Sequence, residues 1–241
     1  MDDAGKNAEL QSFFRIEELQ REPVAGKFDV AHRKEIHRRI FQDSPQHDPG
    51  LFRPDAPAHS KHRAMESAPG GHTVFYAPLA LVVARLPALL DDLKRGAALQ
   101  GLDPEAFSLR MANLYRELDY LHPFREGNSR TLRLFTSQLA RVAGYELDWD
   151  TAHADAMSRD RLYFARDREV NQLALPHLQG ERAMLEVVKA NASFTDRATL
   201  LELIRASLRP LGMTTGQQKE TLAMQSAHPP EPSPPTKSRP R

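Results

Sequence analysis

The chain has 241 residues, enough to bury one sizeable hydrophobic core without a disulfide or a structural metal. It contains no cysteine, which excludes disulfides, thiolate zinc sites, iron–sulfur clusters and cysteine nucleophiles. Its 33 basic and 32 acidic residues give a formal net charge of +1. This net charge is too small to attract the chain as a whole to nucleic acid, and no nucleic-acid contact is required. No apolar run approaches the roughly 20 residues that span a bilayer, so we expect neither a membrane span nor, from the first residues, a signal peptide.

Apolar residues recur with helical spacing over most of the chain. The spacing predicts helices at 10–21, 32–41, 79–99, 103–121, 132–142, 183–192 and 197–208. The segment 44–77 is rich in proline, histidine and glycine, and is predicted to be a loop with a small hairpin around Gly70, Gly71 and Val74. Because no run of residues with a strand pattern is long enough to form a sheet, the sequence predicts an all-α fold.

The helices at 103–121 and 132–142 have the clearest signals. Asp103 is a typical N-cap, and Pro104 stands at the first helical position, where its missing N–H does no harm. The next helix is predicted to end at Gly144, a typical residue just beyond a helix C-terminus. A short loop with dense polar chemistry joins these two helices.

The C-terminal region differs in composition from the rest of the chain. Residues 213–241 carry six of the 18 prolines and almost no aliphatic side chains, so they cannot bury enough apolar surface to offset the entropy of ordering. We predict a domain at 1–212 and a disordered proline-rich tail at 213–241. A plain linker is the favoured role of this tail, and a translocation signal or partner-binding segment is the alternative.

The loop between the two helices reads His122-Pro-Phe-Arg-Glu-Gly-Asn-Ser-Arg-Thr-Leu-Arg133. At the start of the second helix, Gly127, Asn128 and Ser129 are expected to present free backbone N–H groups to an anion. Arg130 and Arg133 are three residues apart and share a helix face, which suits a polyphosphate.

The other two polar residues of the loop add a metal ligand and a base. Glu126 offers a hard oxygen ligand of the kind that holds Mg²⁺ beside phosphates. His122 titrates near neutrality and could take a proton from an attacking hydroxyl. Taken singly, such residues are more often structural: a histidine caps a helix, and paired arginines are solvated or salt-bridged. Phe124 is expected in the core under either interpretation.

The spacing of these residues resembles the motif of the Fic (filamentation induced by cAMP) domain family, H-x-F-x-[DE]-G-N-[GK]-R-x-x-R. Eleven of the twelve positions fit, and Ser129 replaces the usual glycine or lysine. The resemblance implies a Fic-fold helical bundle with a β-hairpin flap, here about 44–77. It implies Mg²⁺-dependent transfer of AMP from ATP to a Tyr, Thr or Ser hydroxyl of a target protein bound at the flap, with release of pyrophosphate.

The resemblance also implies a role for each motif residue. His122 would be the catalytic base, Glu126 the Mg²⁺ ligand, and Gly127, Asn128 and Ser129 the anion hole, with Asn128 on the α-phosphate. Arg130 and Arg133 would hold the β- and γ-phosphates. The Cβ of Ser129 is expected to crowd the phosphate and to reduce activity. The Gly127-Asn-Ser129 run favours adenylylation over the phosphorylation catalysed by a branch of the family that has Ala-Asn-Lys there.

Two further expectations concern regulation and the alternatives. The self-inhibitory helix of many Fic proteins, [ST]-x-x-x-E-[GN], has no counterpart in the sequence, so restraint is expected from a separate antitoxin-like partner or not at all. The role would be that of a toxin or effector, located in the cytoplasm or secreted into a host cell. Transfer of another nucleotide or of phosphocholine is the alternative reaction, and a catalytically weak nucleotide- or protein-binding module is the alternative class.

Overall fold

The computed structural model describes residues 3–56, 59–66, 70–150, 154–194 and 197–212. Within these ranges the architecture is a helical bundle with two small β-ribbons. The α-helices are α1 (Asp3–Arg21), α2 (Val30–Phe41), α3 (Leu79–Arg95), α4 (Pro104–Leu121), α5 (Asn128–Val142), α6 (Ala156–Ala174), α7 (Glu181–Ala192) and α8 (Leu200–Ser207). The strands are β1 (His59–Ala64), β2 (Gly71–Tyr76), β3 (Tyr145–Leu147) and β4 (Leu208–Pro210). The predicted all-α fold with a small hairpin is confirmed.

The central helix α4 forms where the sequence predicts it. The carboxylate of Asp103 accepts a hydrogen bond from the backbone N–H of Ala106 at 2.8 Å and caps the helix, and Pro104 is its first residue. Its apolar face, from Phe107 to Leu121, is fully buried against the rest of the core. The next helix, α5, ends at Val142, and Gly144 follows in a left-handed conformation with φ +90°. Both predicted boundaries are therefore confirmed.

The hairpin lies inside the segment that was predicted to be loop. β1 and β2 pair antiparallel, from His59 opposite Tyr76 to Ala64 opposite Gly71. We call this hairpin the flap. Its β2 strand is fixed to α6 by Asn171, whose Oδ1 accepts from the N–H of Phe75 and whose Nδ2 donates to the carbonyl of Thr73, both at 3.1 Å.

Three features depart from the predicted elements. The helix α6 was not predicted, although it supplies several residues of the site described below. A second ribbon joins β3 to β4, where the predicted helix 197–208 gives way at Leu208 to a strand. The predicted helix 79–99 ends at Arg95 and continues as a 3₁₀ turn at Ala97–Leu99. The predicted tail at 213–241 lies outside the described residues.

No helix in the described ranges is both long enough and apolar enough to cross a bilayer.

Candidate active site

The loop from His122 to Gly127 is closed by its own side chains. Both ends adopt left-handed backbone conformations, with φ +41° at His122 and φ +76° at Gly127. Asn128 clamps the turn, because its Oδ1 accepts from the N–H of Phe124 at 2.9 Å and its Nδ2 donates to the carbonyl of Phe124 at 2.6 Å. The Phe124 side chain is fully buried, as expected. The clamp leaves the second hydrogen of the Asn128 amide for a ligand.

A buried histidine on α2, His37, supports the loop through hydrogen bonds and ring stacking. The backbone N–H of Gly50 donates to His37 Nδ1 at 2.9 Å, so Nε2 carries the proton and donates to the carbonyl of Glu126 at 3.0 Å. The His37 ring stacks on Phe124, with centroids 3.9 Å apart. Burial lowers the pKa of His37 to about 4, so the ring stays neutral. His37 therefore has a structural role in holding the loop.

Arg53 ties the segment before the flap to the loop that begins at His122. Its Nε donates to the carbonyl of His122 at 2.9 Å, and its Nη2 donates to the carbonyl of Ala77 at the end of the flap. Its backbone N–H donates to the carbonyl of Pro123 at 2.8 Å. One buried guanidinium thus holds the loop and the flap in a fixed relation.

His122 lies in a buried and electropositive environment. Its side chain is 6% exposed, and neither ring nitrogen has a hydrogen-bond partner among the described residues. Tyr76 stacks on the ring at a centroid distance of 3.7 Å, and the His59 ring is 5.4 Å away. Burial, followed by the positive charge of Lys61, moves the pKa of His122 well below its ordinary value. The imidazole is therefore neutral at physiological pH and able to accept a proton.

The loop faces a cavity of 650 Å³. Six basic side chains line it in the described part of the chain, against the carboxylates of Glu9 and Glu126. The basic residues are Lys61, Arg63, Arg130, Arg133, Arg159 and Arg166. The predicted site residues His122, Glu126, Gly127, Asn128, Ser129, Arg130 and Arg133 all line the same cavity. Such an arrangement of cations beside a helix N-terminus suits a polyanion.

The two motif arginines, Arg130 and Arg133, are held by different neighbouring residues. Arg130 donates from Nη1 to the hydroxyl of Ser12 on α1 at 2.6 Å and lies over the Phe41 ring at 4.8 Å. Arg133 donates from Nη1 to the hydroxyl of Ser129 at 3.0 Å. Burial lowers the pKa of both guanidiniums, which nevertheless remain charged at neutral pH.

Behind the cavity lies an ion pair that sequence reasoning missed. Arg166 donates from Nε and Nη2 to the two carboxylate oxygens of Asp119 at 2.9 and 2.8 Å, and both side chains are 1% exposed. A third donor, Nη1, reaches the Ser129 hydroxyl at 2.8 Å. Asp119 also lies 4.0 Å from Nδ1 of His122. The pair therefore connects the predicted base to the start of α5.

Glu126 is the residue suited to a divalent cation. Its carboxylate is 54% exposed and lines the cavity beside Arg130, as a ligand shared with bound phosphates must. Both carboxylate oxygens accept from Lys61 Nζ on the flap, at 3.0 and 3.2 Å. The Glu126 carboxylate fits Mg²⁺ once the Lys61 side chain moves away from it. Breaking this exposed ion pair costs little free energy.

A second ion-pair cluster fixes the flap against α6. The buried carboxylate of Asp167 accepts from Arg63 on β1 and from Nε2 of His72 on β2, the latter at 2.8 Å. The outer edge of β1 pairs with no strand among the residues described here. An extended peptide could add to that edge beside His122.

A family model supplies the decisive comparison: residues 27–140 match that of the Fic/DOC family. The chain is thus similar to the Fic/DOC family over residues 27–140. Solved Fic structures share its fold. The N-terminal Fic domain of a putative cell filamentation protein from Bartonella quintana, crystallised with ADP, superimposes with a TM-score of 0.61 at 22% identity, over 86% of this chain and 85% of that chain. BepC from Bartonella tribocorum, crystallised with AMPPNP, gives a TM-score of 0.59 at 19% identity, covering 85% and 86%.

Curated relatives match the same part of the sequence. The protein adenylyltransferase VbhT of Bartonella schoenbuchensis is 36% identical over 148 residues, which are 61% of this chain and 28% of that protein. The probable protein adenylyltransferase Fic of Escherichia coli is 29% identical over 135 residues, 54% of this chain and 58% of that protein. The chain thus spans between about a quarter and three fifths of the length of these relatives.

Proposed function

We propose that this Fic domain is a protein adenylyltransferase, which transfers AMP from ATP to a hydroxyl side chain of a target protein and releases pyrophosphate. The observation that carries the proposal is the position of His122. In the described part of the chain, a buried, neutral imidazole whose two ring nitrogens have no hydrogen-bond partner borders a cavity lined by six cations. The names of the curated relatives support the same reaction.

The cavity would bind the triphosphate through charge and backbone donors. The N-terminus of α5, from Gly127 to Ser129, supplies free N–H groups, and Arg130 and Arg133 add guanidinium forks on the same helix. We assign the β- and γ-phosphates to these arginines and the α-phosphate to the anion hole. Solved relatives with bound ADP and AMPPNP support a nucleotide as substrate.

Glu126 would hold Mg²⁺ against the phosphate oxygens once Lys61 releases it. The metal would neutralise charge that develops on the leaving pyrophosphate. Here the protein's own part is positional, since Glu126 lines the cavity and both of its carboxylate oxygens accept from Lys61 Nζ. Binding of metal and nucleotide is therefore coupled to a local movement of the flap side chain.

His122 would act as the general base. A ring nitrogen takes the proton of the target hydroxyl as its oxygen forms a bond to the α-phosphorus, and the bond from that phosphorus to the pyrophosphate oxygen breaks. The imidazolium then loses its proton to solvent. Asp119, 4.0 Å from Nδ1, favours the charged imidazolium during this step. The enzyme supplies orientation and charge stabilisation, which are the main sources of rate in phosphoryl chemistry.

The target would lie along the free edge of β1. Strand addition there would bring an extended segment past His59 and present its hydroxyl to His122, 5.4 Å from the His59 ring. We infer a toxin or effector role, since several proteins with this fold are named VirB-translocated Bartonella effectors. A separate antitoxin-like inhibitor stays a prediction.

The experiment that tests the function uses ATP labelled in turn at the α- and the γ-phosphate. The purified protein, Mg²⁺ and a cell lysate are incubated with each nucleotide. We expect protein-bound label from α-labelled ATP and none from γ-labelled ATP. Transfer of γ-label would indicate a kinase, and transfer of neither label, with ATP bound, would favour a binding module.

A further inference from the structure

Ser129 stands where the family motif has glycine or lysine, and its hydroxyl has an unusual set of contacts. It accepts from Arg133 Nη1 at 3.0 Å and from Arg166 Nη1 at 2.8 Å. A serine hydroxyl has two lone pairs and one proton. Both lone pairs are used by these guanidiniums, so the proton must be donated elsewhere.

No described group accepts that proton. Serine and threonine hydroxyls inside helices often donate to a carbonyl one turn back, as Ser108 does to Pro104 at 2.7 Å and Thr136 does to Leu132 at 2.9 Å. Ser129 is at the second position of α5, and its hydroxyl makes no such bond within the described ranges. It lines the cavity, so the O–H can point at a ligand there.

The two arginines hold this hydroxyl firmly. Arg166 is fixed by both carboxylate oxygens of Asp119, and the pair is 1% exposed, so its third donor has little freedom. Two cationic donors on one oxygen also polarise the O–H bond and strengthen it as a donor. The result is a rigid, polarised hydroxyl in the lining of the candidate anion site.

We propose that the Ser129 hydroxyl is an additional hydrogen-bond donor to a phosphate oxygen of the bound nucleotide, set in place by Asp119 and Arg166. The inference rests on the proposed nucleotide site. It reverses the expectation that the Ser129 side chain merely crowds the phosphate. Ser129 is a binding residue in this account, and Asp119 and Arg166 are positioning residues that act through it.

Calorimetric titration with ADP tests the inference, because it measures binding without requiring transfer. Ser129→Ala and Ser129→Gly are each expected to weaken ADP binding about tenfold or more, the usual effect of losing a hydrogen bond to a charged group. Ser129→Thr keeps the hydroxyl and is expected to bind within about threefold of the wild type. Ser108→Ala, which removes a buried hydroxyl at the far end of α4, is the matched control and should bind ADP normally.

Titration with adenosine separates donation to phosphate from a general structural effect. Because adenosine has no phosphate, its affinity should be equal in the wild type and in Ser129→Ala. Equal loss of ADP and adenosine binding would show that Ser129 only shapes the site. A Ser129→Gly protein that binds ADP as well as the wild type, or better, would overturn the proposal in favour of crowding.

The two proposals fail in different ways. If ADP binding depends on Ser129 but no AMP is transferred, the proposed reaction is wrong and the hydroxyl contact stands. If AMP is transferred and Ser129→Gly binds ADP normally, only the hydroxyl contact is wrong. Thermal melting of each variant checks folding, and the Ala and Thr pair suffices should the glycine variant unfold.

Discussion

Asp119 and Arg166 form a buried, two-point ion pair, with N–O distances of 2.8 and 2.9 Å, between His122 and the start of α5. The pair joins the end of α4 to the middle of α6. Its carboxylate is close to His122, and its guanidinium reaches Ser129. One buried interaction thus contacts both the proposed base and the proposed anion site.

Removing one partner of this pair should be costly. Asp119→Ala leaves the Arg166 guanidinium charged in a site that is 1% exposed, so we expect the free energy of unfolding to fall by about 3–5 kcal/mol. Urea unfolding at neutral pH measures the change. Asp92→Ala breaks the exposed Asp92–Arg95 pair and should change stability by less than about 1 kcal/mol. Similar losses in both variants would contradict the role given to the buried pair.

The proposed transfer activity should persist in mild acid. The pKa of His122 is well below the ordinary histidine value because the ring is buried and faces Lys61, so the base stays neutral as the pH falls below about 6.5. The acid limb of kcat/KM for ATP reports this group in the free enzyme, and we expect its midpoint below about pH 6.5. A midpoint at or above that value would contradict a buried base.

Stability should show the complementary pH dependence. The pKa of His37 is lowered to about 4, so the unfolded chain takes up a proton near pH 6.5 and the folded chain does not. The free energy of unfolding therefore declines as the pH falls from about 6.5 towards 4. In His37→Gln this decline should be smaller in urea titrations at pH 7 and pH 5. An unchanged decline would mean that His37 does not resist protonation.

Gly127→Ala should impair the site more than the fold. Its φ of +76° already disfavours any L side chain, by roughly 1–2 kcal/mol, and an added Cβ would overlap the ring of Phe41. We expect weaker nucleotide binding and lost transfer, because the start of α5 must shift. Gly144→Ala is the matched control, since Gly144 has φ +90° and an added Cβ would meet no atom of the described residues within 4 Å. The Gly144→Ala variant should lose some stability and keep its nucleotide affinity. Equal nucleotide affinities in Gly127→Ala and Gly144→Ala would contradict the role given to Gly127.

Much of the helical framework could be predicted because its signals are local. Asp103 caps α4 and Gly144 ends α5, and each acts within a few residues of its own position. The motif loop was recognisable because a fixed spacing places its chemistry on one turn and one helix end. The structure brings all of its predicted polar residues and Gly127 to one cavity, and Phe124 lies in the core.

The helix α6 was not predicted, because charged and polar side chains are mixed with apolar ones among its buried residues. Arg166, Asp167 and Asn171 are all less than 2% exposed, so they interrupt the apolar pattern that marks a helix. Each is buried only because a partner far away in the sequence satisfies it, such as Asp119 for Arg166. No local pattern reveals such pairs. The charged positions of 156–174 were the available signal, and they are equally typical of a solvated face.

The most direct test of the central claim compares the wild type with His122→Ala in the transfer of α-labelled AMP to protein. Both proteins should bind ADP with similar affinity, because the imidazole is not among the phosphate-binding groups. We expect the variant to transfer label about a hundred- to ten-thousand-fold more slowly, the usual effect of losing a general base. Transfer by His122→Ala at the wild-type rate, with ADP binding intact, would contradict the assignment of His122 as the base.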